Sequence, residues 1–356
     1  MSPKASQPVI QDIFQAALKS IPYPGFDADI LTMNLVLEAR LEGGKAIIRL
    51  RALAAPPEVR EQLENDIASA VGQIPGVQEL ELDLPEPPQP KAPSGPKPID
   101  GVKAVVPVAS GKGGVGKSTV AVNLALGLSR LGLKVGLLDL DLYGPSVPLM
   151  LGITGAQPSD NGDGRIAPVV AHGLKVMSIG FMVGADKALI WRGPILMKAV
   201  KQLLHEVAWE PLDILVLDLP PGTGDVQITM AQEVPVAGAV VVTTPQDVAL
   251  VDAIKAVDMF NHTGAPVLGI VENMSYFVCP DCGGRHEIFG HGSVAPLSAK
   301  LGVPFLGEVP LDAQVRAAMD AGAPIIETDQ PAAQAYRDLA AKVLARIRET
   351  RSELEV

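Results

Sequence analysis

Cysteine is nearly missing from this chain: its 356 residues hold two, Cys279 and Cys282, with two residues between them. One such pair cannot staple a fold of this length, so a disulfide framework is excluded. In a reducing compartment the pair points instead to metal binding or redox chemistry. Long apolar runs are also missing, since no stretch reaches the ~18 uninterrupted apolar residues of a membrane span. Nor is there a run rich in lysine or arginine, and the formal net charge is −11, which argues against a broad nucleic-acid surface. The opening residues Met1-Ser2-Pro3-Lys4-Ala5-Ser6 lack the apolar core of a signal peptide, so the expectation is a cytoplasmic protein with no membrane and no nucleic acid among its partners. What the chain does have is apolar residues, 47% against 19% charged. That suffices for a packed core, at a length where two domains are the natural prior.

One segment organises the rest: Gly111-Lys112-Gly113-Gly114-Val115-Gly116-Lys117-Ser118-Thr119. An apolar run over residues 104–109 precedes it and a helical apolar pattern from Val120 to Leu131 follows it. Strand, glycine loop, helix is the context that a phosphate-binding loop requires, and Gly111, four residues, then Gly116-Lys117-Ser118 fits the Walker A spacing in full. The glycines let successive N–H groups turn around a phosphate, and the helix N-terminus adds partial positive charge. Lys117 would reach the β- and γ-phosphates and Ser118 would meet Mg²⁺. Lys112 is a second lysine that an ordinary Walker A loop does not need.

Two acidic segments belong with this loop. Asp139 and Asp141 follow an apolar run, where carboxylates could hold Mg²⁺ through water or orient an attacking water. The run Ile214-Leu215-Val216-Leu217-Asp218 has the Walker B form, with Asp218 reaching Mg²⁺ and Gly222 placed where a switch loop can offer its N–H to the γ-phosphate.

Around these motifs the chain divides in three. Residues 1–84 read as an α–β–β–α–β module: an amphipathic pattern over 10–21, two β-rich runs across Gly43-Gly44, a second helix after Pro56-Pro57-Glu58, and a strand closing at Leu84. Residues 85–101 are dense in proline and read as a semi-stiff linker. Residues 102–356 alternate buried-strand candidates (Val102–Ala109, Lys134–Asp139, Leu174–Ile179, Ile214–Asp218, Ala239–Thr243, Val267–Val271) with helical patterns. The expected class is therefore α/β, a parallel sheet with helices on both faces, plus a small N-terminal α+β domain. Ligand groups should gather at the C-terminal ends of the strands.

The lysine-bearing loop resembles the deviant Walker A of the MinD/ParA/nitrogenase-iron-protein class of P-loop NTPases (the SIMIBI group). Within it, Asp141-Leu-Tyr-Gly-Pro-Ser146, Trp191-Arg192-Gly193-Pro194, Asp218-Leu-Pro-Pro-Gly-Thr-Gly-Asp225 and Val271-Glu-Asn-Met-Ser-Tyr-Phe-Val-Cys-Pro-Asp-Cys282 resemble the Mrp/ApbC/Nbp35 family of iron–sulfur cluster carriers. The match runs from 102 to about 345, and the N-terminal module resembles a MIP18-like (DUF59) domain. The resemblance implies an ATPase that carries a labile [4Fe–4S] cluster to apo-proteins and meets assembly scaffolds, with hydrolysis gating the cycle. It implies that Lys112 reaches phosphates across a homodimer interface. Asp141 becomes the switch aspartate of hydrolysis, Asp139 ends its strand beside the metal, and Asn273 reads the adenine. Cys279 and Cys282 become half of a shared cluster site. Four thiolates are the usual requirement of such a cluster, and a twofold dimer supplies them.

Two rival readings stand beside it. Cys279, Cys282, His286 and His291 have spacings that could close a zinc site within one chain. A MinD/ParA-type positioning ATPase would need a terminal amphipathic helix with a basic face. The segment from Ala335 to Val356 is helical in pattern but mixed in charge and reads as a solvated closing helix. The chain also departs from its family: no cysteine stands near Ala54-Ala55-Pro56-Pro57, where many MIP18-like domains carry one, and there is no N-terminal cysteine cluster.

Overall fold

A computed structural model describes residues 7–23, 28–53, 57–85, 95–142, 144–182 and 193–350. The expectations placed on Ala54-Ala55-Pro56, on most of the proline-rich linker, on Tyr143, on Trp191-Arg192 and on the last six residues lie outside them. The chain separates into two compact units, residues 1–93 and 94–356.

The first unit holds helix α1 (Gln7–Lys19), strands β1 (Val36–Glu42) and β2 (Lys45–Leu50), helix α2 (Pro57–Gly72) and strand β3 (Glu79–Asp83). β1 and β2 form an antiparallel hairpin closed by Glu42 opposite Lys45. Gly43 and Gly44 make the turn at φ +58° and +91°, a backbone that favours glycine. β3 then returns parallel to β2 through the α2 crossover. Phe14, Leu18, Ile48, Leu63, Ile67 and Val71 form the buried core. In β3, acids alternate with Leu80 and Leu82, and Glu79 and Glu81 both pair with Lys45 at 2.9 Å.

The second unit runs β4 (Val102–Ala109), α3 (Lys117–Arg130), β5 (Val135–Asp139), α4 (Val147–Met150), a small antiparallel pair β6 (Ser159–Asp160) and β7 (Ile166–Ala167), β8 (Val169–Ala171), β9 (Leu174–Ser178), α5 (Gly193–His205), β10 (Leu212–Asp218), α6 (Asp225–Glu233), β11 (Ala239–Thr243), α7 (Asp247–His262), β12 (Val267–Val278), β13 (Arg285–His286), α8 (Val294–Leu301), β14 (Phe305–Leu311), α9 (Ala313–Asp320) and α10 (Pro331–Thr350). The main sheet has the order β13-β12-β11-β4-β10-β5-β9-β8, with β14 also on β12. Its pairings are parallel except where β8 meets β9 and β13 meets β12.

Strand periodicity divides the core in two. Ala104, Val106, Val108, Ile214 and Val216 face one layer, which α3 and α10 cover. Val105, Ala109, Leu215 and Leu217 face the other, under α5, α6 and α7. Apart from Lys103, Asp213 and the terminal Asp218, β4 and β10 are apolar because both faces are buried. α10 is more than a solvated closing helix: Tyr336, Leu339, Ala340, Val343, Leu344 and Ile347 are buried in the first layer. Among the described residues no helix is long and apolar enough to cross a membrane.

Candidate functional site

β4 ends at Ala109 and α3 begins at Lys117, so the glycine loop bridges the C-terminal edge of the central strand to a helix N-terminus. Gly116 is the residue before that helix, at φ +80°, and no side chain caps it. The first-turn amides are thus orphan donors of the kind that hold phosphates. The loop is gripped on two sides. A Cβ on Gly111 would lie 2.0 Å from the Asp252 carbonyl oxygen of α7, and one on Gly116 would lie 2.2 Å from Asn273 Nδ2 of β12. A cavity of about 200 Å³ opens beside the loop, with Lys112, Gly113, Gly114, Lys117, Ser118 and Asp141 in its wall. Val115 is buried, so only its backbone can serve a ligand, while Thr119, next along the helix, also lines the cavity.

Lys117 is the electrostatic centre. It is 6% exposed, and its Nζ lies 2.5 Å from Asp218 Oδ1 and 3.7 Å from Asp141 Oδ2, while donating to Ser118 Oγ at 3.2 Å. Burial pushes the Asp218 carboxyl above the usual range, and the Lys117 charge works against that push. Asp218 Oδ2 is buried without a protein partner. An orphaned acceptor next to the Ser118 hydroxyl is the donor chemistry that hydrated Mg²⁺ requires, so these two residues fit that ion.

Asp139 stands opposite Asp218 in the sheet and holds the loop that follows it. Its Oδ1 accepts the Asp141 N–H at 3.0 Å, and its Oδ2 accepts the Val147 N–H at 3.3 Å and the Ser178 hydroxyl at 3.0 Å. Both oxygens are spent on shaping the 141–147 loop. Burial, and then the Asp218 charge, push its carboxyl up to about 7. In this structure the Gly222 N–H donates to the Ser110 carbonyl at 2.8 Å, which ties the switch loop to the phosphate loop. Gln227, which the sequence did not single out, is 1% exposed and donates to the Pro220 carbonyl at 2.6 Å and the Gly222 carbonyl at 3.0 Å.

β12 runs on seven residues past its expected end at Val271. Asn273 donates its amide to the Val115 carbonyl at 2.8 Å, so in this structure it is bonded to the phosphate loop. Beyond it, Phe277 and Val278 pair with His286 and Arg285 of β13. The tip closes through Cys279 N–H to the Gly284 carbonyl and Gly283 N–H to the Cys279 carbonyl, both 2.9 Å. Cys279 and Cys282 sit on this tip as free thiols, the first half-buried and the second exposed. Hydrogen bonds from the Cys282 and Asp281 backbone, and then from the Cys282 thiol, hold Cys279 below the ordinary cysteine value.

The single-chain zinc set does not assemble. His291 lies between Glu272 and Glu308, and these three make the one group of potential metal ligands among the described residues. The Arg285 guanidinium enters the same cluster, 3.1 Å from Glu308 and 3.2 Å from the His291 ring, and it stacks 3.8 Å from the Tyr276 centroid. Two acids with an interleaved arginine form an ion-pair knot at the root of the cysteine hairpin.

A family model described as ParA, NUBPL iron-transfer P-loop NTPase, matches residues 101–344. The chain belongs to this family. Among the curated relatives of this iron-transfer P-loop NTPase is the iron-sulfur cluster carrier protein of Deinococcus radiodurans, 46% identical over 342 residues, which cover 95% of this chain and 96% of that one. Another is the iron-sulfur cluster transfer protein NUBPL of Dictyostelium discoideum, 48% identical over 70% of this chain and 78% of its own length. A solved nucleotide-binding protein from Archaeoglobus fulgidus, in complex with ADP, is 40% identical and superposes with a TM-score of 0.56 over 63% of this chain and 88% of its own. The family reading drawn from the lysine-bearing loop and the CxxC segment is therefore borne out, as is the P-loop fold.

Proposed function

We propose that this NTPase is an ATP-dependent carrier that binds a labile [4Fe–4S] cluster between two copies of the chain and passes it to apo-proteins. The observation that carries the proposal is the free Cys279–Cys282 pair on the tip of the strand whose Asn273 touches the phosphate loop. One chain offers two thiols where such a cluster wants four, which supports a homodimer with the cluster as its cargo on the twofold axis. Lys112, lining the nucleotide cavity, is assigned to the partner's phosphates across the same interface.

The chemistry of hydrolysis follows from the residues around Lys117. The phosphate loop amides and Lys117 bind the triphosphate, Lys117 exchanging its carboxylate partners for phosphate oxygens. Asp141 positions the attacking water in line with the γ-phosphate. Mg²⁺, held by Ser118 and through water by Asp218, would neutralise charge developing on the phosphates. Residues 1–84, as a MIP18-like domain joined through the 85–101 linker, present client proteins or assembly scaffolds to the ATPase domain at 102–356. The setting is cytoplasmic.

Anaerobic reconstitution with iron and sulfide tests the carrier reading. Wild type should gain about four iron and four sulfide per dimer, and Cys279→Ser or Cys282→Ser should gain none. Zinc bound at about one per chain, with no iron-dependent colour, would replace it with a structural-metal reading.

A further inference from the structure

β12 is one strand with two tasks, and a break in its regularity lies between them. At Glu272 it is fastened: this fully buried carboxylate accepts from the Ser275 hydroxyl at 2.6 Å, the Gly292 N–H at 3.2 Å and the Val294 N–H at 3.1 Å. The next residue, Asn273, is bonded to the Val115 carbonyl. Met274 then adopts φ +55°, a left-handed backbone that side chains other than glycine take only at a cost. Its Cε lies 3.6 Å from where a Cβ of Gly116 would stand. The pairing of β12 with β14 shifts register between Asn273 and Phe277, and past that irregularity comes the hairpin with both cysteines.

The phosphate loop thus meets Asn273 and lies beside Met274, at the start of the irregularity and six and five positions before the first thiol. Val115 and Gly116 belong to the loop whose amides receive the phosphates, so a shift of that loop on nucleotide exchange acts directly on Asn273 and Met274. Glu272 keeps the strand behind them fixed. The segment that continues forward from them carries Cys279 and Cys282.

We propose that Asn273 and Met274 are positioning residues that convey the nucleotide state of the phosphate loop to the Cys279–Cys282 hairpin. The identity of the cargo rests on the carrier reading above; the coupling itself is a property of the apo-protein and is tested without a cluster.

The measurement is the alkylation rate of Cys279 and Cys282 by iodoacetamide, read peptide by peptide in full-length, cluster-free protein. It is made with saturating Mg–ADP and with a saturating non-hydrolysable ATP analogue. In wild type the two nucleotides should give rates differing about fivefold or more, the lower end of ordinary allosteric couplings. Met274→Gly accepts φ +55° without strain and loses the side chain that stands beside Gly116, so its ratio should fall close to one while its nucleotide affinity stays that of wild type. Met274→Leu keeps both bulk and strain and should retain the ratio. Asn273→Ala should lower the ratio too, and Met274→Gly decides the matter should that variant bind nucleotide poorly. Equal rates in wild type with both nucleotides, or a wild-type ratio in Met274→Gly, overturns the proposal. Iron uptake measured on unalkylated portions of the same preparations reports separately on the carrier reading, so the two can fail independently.

Discussion

Gly116 shows at the scale of one residue how closely the nucleotide loop and the thiol-bearing strand are packed. A methyl group there would meet Asn273 Nδ2 at 2.2 Å on a backbone at φ +80°. Gly116→Ala should therefore cost about 1–2 kcal/mol from the backbone alone and weaken nucleotide binding as well; denaturant unfolding and nucleotide titration read the two effects. Lys112 offers the opposite test. If it acts on the partner's phosphates, Lys112→Ala should lower phosphate release by about 10²-fold or more while nucleotide still binds, and normal hydrolysis would refute the cross-subunit role. Cys279 supplies a pH prediction. Its hydrogen bonds favour the thiolate, so its reaction with iodoacetamide in apo-protein should rise with a midpoint below that of a free cysteine, about 8.5, giving faster modification at neutral pH than a free thiol. A midpoint at or above that value contradicts the hydrogen-bonded tip.

Among the elements, what could be read from the sequence depended on how uniform each environment is. β4 and β11 were legible to the residue, at Val102–Ala109 and Ala239–Thr243, because strands buried on both faces carry near-continuous apolar runs, broken in β4 only by Lys103 at its exposed start. β12 was legible only to Val271, since Glu272, Asn273 and Ser275 interrupt the pattern and their polar groups are satisfied by distant partners. β14, with the sequence Phe-Leu-Gly-Glu-Val-Pro-Leu over 305–311, escaped notice because it lies at the margin of the sheet and mixes glycine, acid and proline. The Glu272–His291–Glu308 cluster escaped with it, for it exists only through the parallel register that sets Glu272 opposite Glu308. The phosphate loop and the CxxC pair were legible because their chemistry is local. The bond from Asn273 to the Val115 carbonyl was not, because it joins residues far apart in sequence, and neither was the Ser178 hydroxyl that helps Asp139 shape its loop. α10 gives this scale its own test. Leu339 is 2% exposed in the layer that α10 shares with α3, so Leu339→Ala should destabilise the ATPase unit by about 2–5 kcal/mol, as measured by chemical denaturation.

Over the whole molecule, each compact unit is supplied with its own core. The first is built on Phe14, Ile48 and Ile67, the second on the two layers of its sheet. A chain of residues 95–356 should therefore unfold cooperatively and bind nucleotide with the affinity of the full protein, as calorimetry and nucleotide titration would check. Loss of folding on removal of residues 1–94 would show that the cores are interdependent. Within the second unit, the forward reach of β12 has a mechanical consequence. Cys279 stands six residues beyond Asn273, and at roughly 3.3 Å per residue this makes an arm of up to about 20 Å, whose far end moves about 3 Å for a turn of about 10° at its base. Such a displacement exceeds the length of a metal–thiolate bond, roughly 2.3 Å for zinc. A phosphate loop needs to tilt its neighbour only slightly for the arm to open or close a grip on metal, so leverage can magnify a small movement at the nucleotide into release of the load.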